Sequence, residues 1–151
     1  MYQDSCVLIT GGTGTIGSAF VKHCLNNGAA EVRILSRSRE KQYDLVHELN
    51  DSRVCCYTGD VNDKNSVERA MREVDFVLHA AANKYVPMCE EIPLDAIRTN
   101  TIGSFNVIDS AINNNVKKIV CISTDKAVYP TSTMGYTKAL MEKIALQKAK
   151  E

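Results

Sequence analysis

Val7-Leu8-Ile9-Thr10-Gly11-Gly12-Thr13-Gly14-Thr15-Ile16-Gly17 decides the fold. An aliphatic run ends at Thr10, glycines follow at 11, 14 and 17, and a stretch of helical period begins near Ile16. The pattern is GxxGxxG across a strand-to-helix turn. Gly11 permits the tight turn, Gly14 lets backbone approach a pyrophosphate, and Gly17 lets the helix pack closely on the sheet. The free N–H groups of the helix start then offer partial positive charge to an anion. Gly11, Thr13, Gly14, Thr15, Ile16 and Gly17 are therefore the expected contacts of a bound dinucleotide. A glycine triplet alone is weak evidence, and its weight comes from the chain around it.

Working outward, short apolar runs recur at Val7–Thr10, Val32–Leu35, Val54–Tyr57, Phe76–His79 and Ile119–Ser123, each the length of a buried parallel strand. Helix-period segments separate them near Ile16–Asn26, Glu40–Leu49, Ser66–Arg72 and Leu94–Asn114, and a last one runs from about Met134 to the end. Asn27 with Gly28, Asn50 with Asp51, and Asn113 to Asn115 read as helix stops. The βα alternation predicts an α/β, doubly wound parallel sheet of the dinucleotide-binding Rossmann type, with right-handed crossovers. Residues 1–151 read as one such domain. A fold of this kind normally continues with a sixth strand, and none follows, so the expectation is an incomplete domain whose C-terminal strands and substrate domain are absent.

Composition restricts the partners. The 151 residues carry 18 Lys plus Arg and 18 Asp plus Glu, so no global basic field draws the chain to nucleic acid or an anionic membrane. No apolar run approaches the roughly 20 residues of a membrane span, and Met1 to Ser5 lack the positive region of a signal peptide, so the cytoplasm is the expected compartment. Six cysteines include no CxxC and no zinc-ligand spacing; most fall in apolar segments and read as reduced structural residues, with no metal expected.

An acidic residue after the second strand would hold the ribose 2′-OH of NAD. Here Ser36, Arg37, Ser38 and Arg39 stand there, followed by Glu40 and Lys41. A guanidinium beside a hydroxyl binds a 2′-phosphate bidentately, so Ser36, Arg37 and Lys41 favour NADP over NAD.

The glycine loop, Gly59-Asp60-Val61 after the third strand, His79-Ala80-Ala81-Ala82 after the fourth, and Thr99-Asn100 together resemble the extended short-chain dehydrogenases/reductases. Ser123 to Pro130, Met134 to Lys138 and Met141 to Lys143 narrow the resemblance to the CapD-like nucleotide-sugar 4,6-dehydratases of polysaccharide biosynthesis. Lys84, Val86, Pro87, Cys89 and Glu90 fit the branch acting on UDP-N-acetylglucosamine with inversion at C5. The resemblance spans essentially the whole chain. It implies that Asp60 and Val61 lie at the adenine, Ala80, Ala81 and Ala82 along the cofactor, Lys84 near the UDP-sugar, and that Asn100 is a helix residue that holds an internal water and supports the cofactor-binding active site. It also implies a homo-oligomer for a full-length chain.

The reaction implied is an internal redox cycle: hydride leaves sugar C4, the C5 proton and a C6 hydroxyl are lost, and hydride returns at C6. Thr124 is assigned as donor to the C4 oxygen, Asp125 as acid, Lys126 as base and Lys138 as the residue holding the nicotinamide ribose. A short-chain dehydrogenase normally has Tyr four residues before that Lys, on one helix face. Here Met134 stands there, and a thioether takes no proton. The expectation is the cofactor half of an NADP-dependent 4,6-dehydratase, a lyase. Two alternatives stand beside it: a nucleotide-sugar 4-epimerase, and a non-catalytic NAD(P)-binding module.

Overall fold

The computed structural model describes residues 2–150; Met1 and Glu151, the last residue of the expected final helix, lie outside the described residues. Five strands, β1 (Cys6–Thr10), β2 (Glu31–Ser36), β3 (Val54–Thr58), β4 (Phe76–His79) and β5 (Lys118–Cys121), pair in parallel in the order β3-β2-β1-β4-β5. The order reverses between β1 and β4, which opens a crevice at their carboxyl ends.

Alternation along the strands builds two cores. Val7, Ile9, Val32, Ile34 and Leu78 face α1 (Thr15–Asn26) and α2 (Arg39–Leu49), where Val21, Cys24, Leu25 and Leu45 meet them. Leu8, Leu35 and Val77 face the other way, against Val67, Ala70 and Met71 of α3 (Lys64–Met71) and Val107 and Ala111 of α6 (Ser104–Asn113). A strand buried on both faces must be apolar at successive positions, which is why β1 reads as a continuous run. The edge strands are different: β3 and β5 are half-exposed, so their runs are not the fully buried strands expected. β5 also stops at Cys121, and Ser123 leaves the sheet to bond Glu142.

The segment expected as one helix from Leu94 to Asn114 is broken. A short helix α4 (Val86–Glu91), absent from the sequence expectation, is followed by α5 (Pro93–Ala96), a π-helical stretch (Ile97–Gly103) and then α6. The wide π turns shift the backbone register, a feature concentrated at functional sites. The final helix α7 (Thr133–Lys148) begins at the Ser132 cap, whose hydroxyl accepts from the Gly135 N–H. No described helix is long and apolar enough to cross a membrane.

Arg33 is a charged residue inside the sheet. Its guanidinium bonds Glu31 (2.8 Å) and donates to the carbonyls of Ala70 (3.1 Å) and Arg72 (2.5 Å), closing the end of α3. All six thiols are free; Cys24 and Cys89 are buried, whereas Cys56 is exposed on the edge strand. Burial pushes the Cys6, Cys24 and Cys121 thiols up to about 11, away from reactive thiolate.

Candidate active site

The carboxyl ends of β1, β2 and β4 open into one groove of about 350 Å³. Its floor is the glycine loop. Gly11 has φ +68°, in the left-handed region, and a Cβ there would meet the Ala81 backbone at 2.8 Å. Gly17 sits even tighter: a Cβ would lie 2.3 Å from the Gly11 carbonyl oxygen. The loop therefore folds only with glycine at both places. α1 starts at Gly14 with no side-chain cap and no acidic residue in its first turn, so its positive end faces the groove.

Gly11, Thr13, Gly14, Thr15, Ile16 and Gly17 line this groove, with Ser36, Arg37 and Lys41 from the β2 end, Asp60 and Val61 after β3, and Ala80, Ala81, Ala82 and Lys84 after β4. Four segments far apart in sequence thus meet around one cavity. Arg37 is largely exposed and its guanidinium stands 3.9 Å from an Asp60 carboxylate oxygen. Buried Gln42 explains how the β2 end is held. Its amide donates to the Ser36 carbonyl (3.2 Å), the Ser36 hydroxyl (3.0 Å) and the Tyr57 carbonyl (3.0 Å), and it accepts from Thr58 Oγ1. Nothing in the local sequence marked Gln42.

Asn100 does not line the groove. It is fully buried behind it, in the π-helical stretch. Its Oδ1 accepts from the Asn83 N–H (2.8 Å), and its Nδ2 donates to the Asn83 carbonyl (2.9 Å) and to Thr137 Oγ1 (3.0 Å). Asn100 thereby ties the loop after β4 to the first turns of α7. Thr99, its neighbour, is the residue that reaches the groove.

The residues expected to carry chemistry form a separate group at the mouth of β5. Thr124 caps a 3₁₀ turn (Asp125–Ala127), its Oγ1 accepting from the Lys126 N–H (3.3 Å) and donating to Asp125 Oδ1 (2.9 Å). Lys126 Nζ lies 3.3 Å from the same carboxylate oxygen. The Thr124 hydroxyl and the Lys126 ammonium hold the exposed Asp125 carboxyl below the usual carboxylate range. Both contacts favour the ionised form of Asp125 over the protonated form that an acid needs. On α7, Lys138 is buried, donating to the Ile122 carbonyl and Met141 Sδ, and burial pulls its amine below the ordinary lysine value. Met134, one turn earlier, packs with Cys89 and Ala96. Lys138 and the Thr124–Lys126 group stand outside the lining of the groove.

A family model described as polysaccharide biosynthesis protein matches residues 7–151. The chain belongs to this polysaccharide biosynthesis family. Among relatives, a UDP-glucose 4-epimerase of Rickettsia massiliae is 49% identical over 154 residues, covering 99% of this chain and 45% of the relative. The structure of Pen from Bacillus thuringiensis superposes with a TM-score of 0.96 at 38% identity, covering 98% of this chain and 46% of Pen. The dTDP-glucose 4,6-dehydratase DesIV from Streptomyces venezuelae, solved with NAD and TYD bound, gives a TM-score of 0.87 at 26% identity, covering 96% of this chain and 52% of the enzyme. The family member described here thus spans about half the length of the relatives it matches, and its neighbours include both epimerases and dehydratases of nucleotide sugars.

Proposed function

We propose that the chain is the dinucleotide-binding half of a nucleotide-sugar enzyme that oxidises a UDP-hexose at C4 and reduces the sugar again within one turnover. The observation that carries this reading is the single groove shared by the glycine loop, the β2 end and the alanine run after β4. A nicotinamide dinucleotide, when bound, supplies the acceptor and then the donor of one hydride. The α1 N-terminus and Gly14 would receive its pyrophosphate, Asp60 and Val61 would hold the adenine, and Ala80 to Ala82 would let it lie close to backbone. Ser36, Arg37 and Lys41 favour a 2′-phosphate, so NADP is preferred to NAD. Lys84, on the rim, would face the sugar nucleotide, and Lys138 would hold the nicotinamide ribose on exchanging its contacts with the Ile122 carbonyl and Met141 for it.

Relatives named UDP-glucose 4-epimerase support return of the hydride to C4 on the opposite face. One specific observation favours a second reading, the UDP-N-acetylglucosamine-type 4,6-dehydratase. Thr124, Asp125 and Lys126 stand together at the β5 mouth, while Met134 occupies the position of the ordinary Tyr base. In that reading Thr124 bonds the C4 oxygen, and Lys126 removes the C5 proton made acidic by the C4 ketone. Asp125 protonates the departing C6 hydroxyl, after acquiring a proton in a site closed by the other half of the enzyme.

The two readings separate on product. The chain, joined to the C-terminal half of a relative such as the Rickettsia massiliae protein, is supplied with UDP-glucose and UDP-N-acetylglucosamine. A C4 epimer supports the first reading, and a product lighter by one water the second. In the dehydratase, Lys126→Ala lowers C5 proton exchange in heavy water by about 10² to 10⁴. Dinucleotide binding with unchanged sugar in every case would leave the non-catalytic module.

A further inference from the structure

His79 ends β4 with no exposed surface, and both of its ring nitrogens are engaged. Nδ1 lies 2.7 Å from Thr10 Oγ1, and Nε2 lies 2.8 Å from Ser104 Oγ. The surrounding bonds fix which atom carries each proton. Ser104 donates its hydroxyl proton to the Asn100 carbonyl (2.7 Å), which can only accept. Ser104 Oγ therefore offers His79 a lone pair, and Nε2 must carry the hydrogen. Thr10 Oγ1 accepts from the Ala81 N–H (3.3 Å), which can only donate, so its own proton remains for Nδ1. The opposite tautomer would set the Nε2 lone pair against that of Ser104. A doubly protonated ring would have to donate to the second Thr10 lone pair, which takes from the Thr10 proton the acceptor it has in Nδ1.

We propose that Thr10, His79 and Ser104 form a one-way hydrogen-bond wire, locked to the Nε2–H tautomer of His79, that positions the glycine loop relative to the helix bearing Lys138. At one end Thr10 immediately precedes Gly11, and Ala81 is part of the groove lining. At the other, Asn100 passes the connection to Thr137, whose hydroxyl donates to the Met134 carbonyl (2.8 Å) in the first turn of α7. Lys138, on that same helix, is the charge that reaches His79 and further disfavours a cationic ring. A chain of bonds all pointing one way strengthens each member, and in a dry interior a single reversed proton leaves two groups unsatisfied. These are positioning residues. Their effect on dinucleotide binding rests on the function proposed above, whereas the tautomer does not.

Two measurements test the wire. Nitrogen-resolved NMR of the ¹⁵N-labelled chain reads the tautomer directly: Nε2–H with an unprotonated Nδ1, unchanged from pH 8 to pH 5, is expected. An Nδ1–H ring, or one that titrates in that range, overturns the proposal. Thr10→Val keeps the shape of the side chain but removes the proton given to Nδ1. It should let the second tautomer appear and weaken NADP binding roughly tenfold, about 1.4 kcal/mol, and Thr10→Ser should restore both. An unaltered His79 spectrum in folded Thr10→Val overturns the wire. A parent chain that shows the expected tautomer yet binds no dinucleotide overturns the cofactor reading alone. Should Thr10→Val not fold, the parent spectrum still decides.

Discussion

Glu90 grips Thr133 twice, its carboxylate accepting from the backbone N–H at 2.6 Å and from the hydroxyl at 3.1 Å. Through this contact α4 pins the first residue of α7, the helix that carries Met134 and Lys138. A carboxylate at a helix N-terminus satisfies an orphan donor and meets the positive end of the dipole. Glu90→Ala should lower stability by about 1 kcal/mol, a drop of roughly 2–4 °C in Tm for a chain of this size, and speed amide exchange at Thr133. Glu90→Gln, which keeps an acceptor oxygen, should lose less. Equal melting of all three proteins would mean that α7 is anchored elsewhere.

Gly17→Ala places a methyl 2.3 Å from the Gly11 carbonyl oxygen and 2.6 Å from Gly12 Cα. Backbone must move, because no flexible side chain is there to yield. The expected result is a loss of about 1–3 kcal/mol and loss of dinucleotide binding by calorimetry. Wild-type affinity in this variant would show that the loop is not the phosphate cradle.

Arg37 beside Asp60 makes the ribose end of the groove the place to test cofactor choice. NADP should bind more tightly than NAD, and Arg37→Asp should reverse the order by placing a carboxylate where a 2′-phosphate would lie. Calorimetry with both dinucleotides measures it. Equal or tighter binding of NAD by the parent chain refutes the NADP preference.

The buried ring of His79 also sets a pH dependence. Burial, assisted by the Lys138 charge, holds its pKa down to about 3 from an ordinary 6.5. The unfolded chain therefore binds this proton first as pH falls. The stabilisation is fully present above 6.5 and is lost progressively as pH drops toward 3. Between pH 7 and pH 5.5, where few carboxylates titrate, stability should fall by about 1 kcal/mol from this group. Denaturant melts at the two values check it, and His79→Gln should flatten the slope. A parent chain equally stable at both values would place His79 in a polar, protonatable setting.

The sheet was legible in the sequence because its signals are local: apolar runs, glycine spacing and asparagine stops each act within a few residues. The same holds for the groove lining, since Gly11 to Gly17, Ser36, Arg37, Asp60 and Ala80 to Ala82 all lie at strand ends, which the topology brings together. What escaped depends on distant partners. Gln42 and Arg33 look like surface residues until the carbonyls they satisfy are known. The π-helical stretch leaves Asn100 facing Asn83 and Thr137, a register that apolar periodicity does not report. Asp125 could not be assigned a charge from its neighbours in sequence alone, because exposure decides between Lys126 and burial.

In the proposed reaction hydride leaves C4 of the sugar and returns to the same molecule. UDP-glucose and UDP-N-acetylglucosamine carrying deuterium at C4 would be turned over by the chain joined to a relative's C-terminal half, and the label located by NMR. The deuterium is expected to stay in the product, at C4 after epimerisation or at C6 after dehydration. A product whose C4 deuterium has been lost to solvent, or substrate recovered unchanged in the presence of bound dinucleotide, would contradict it.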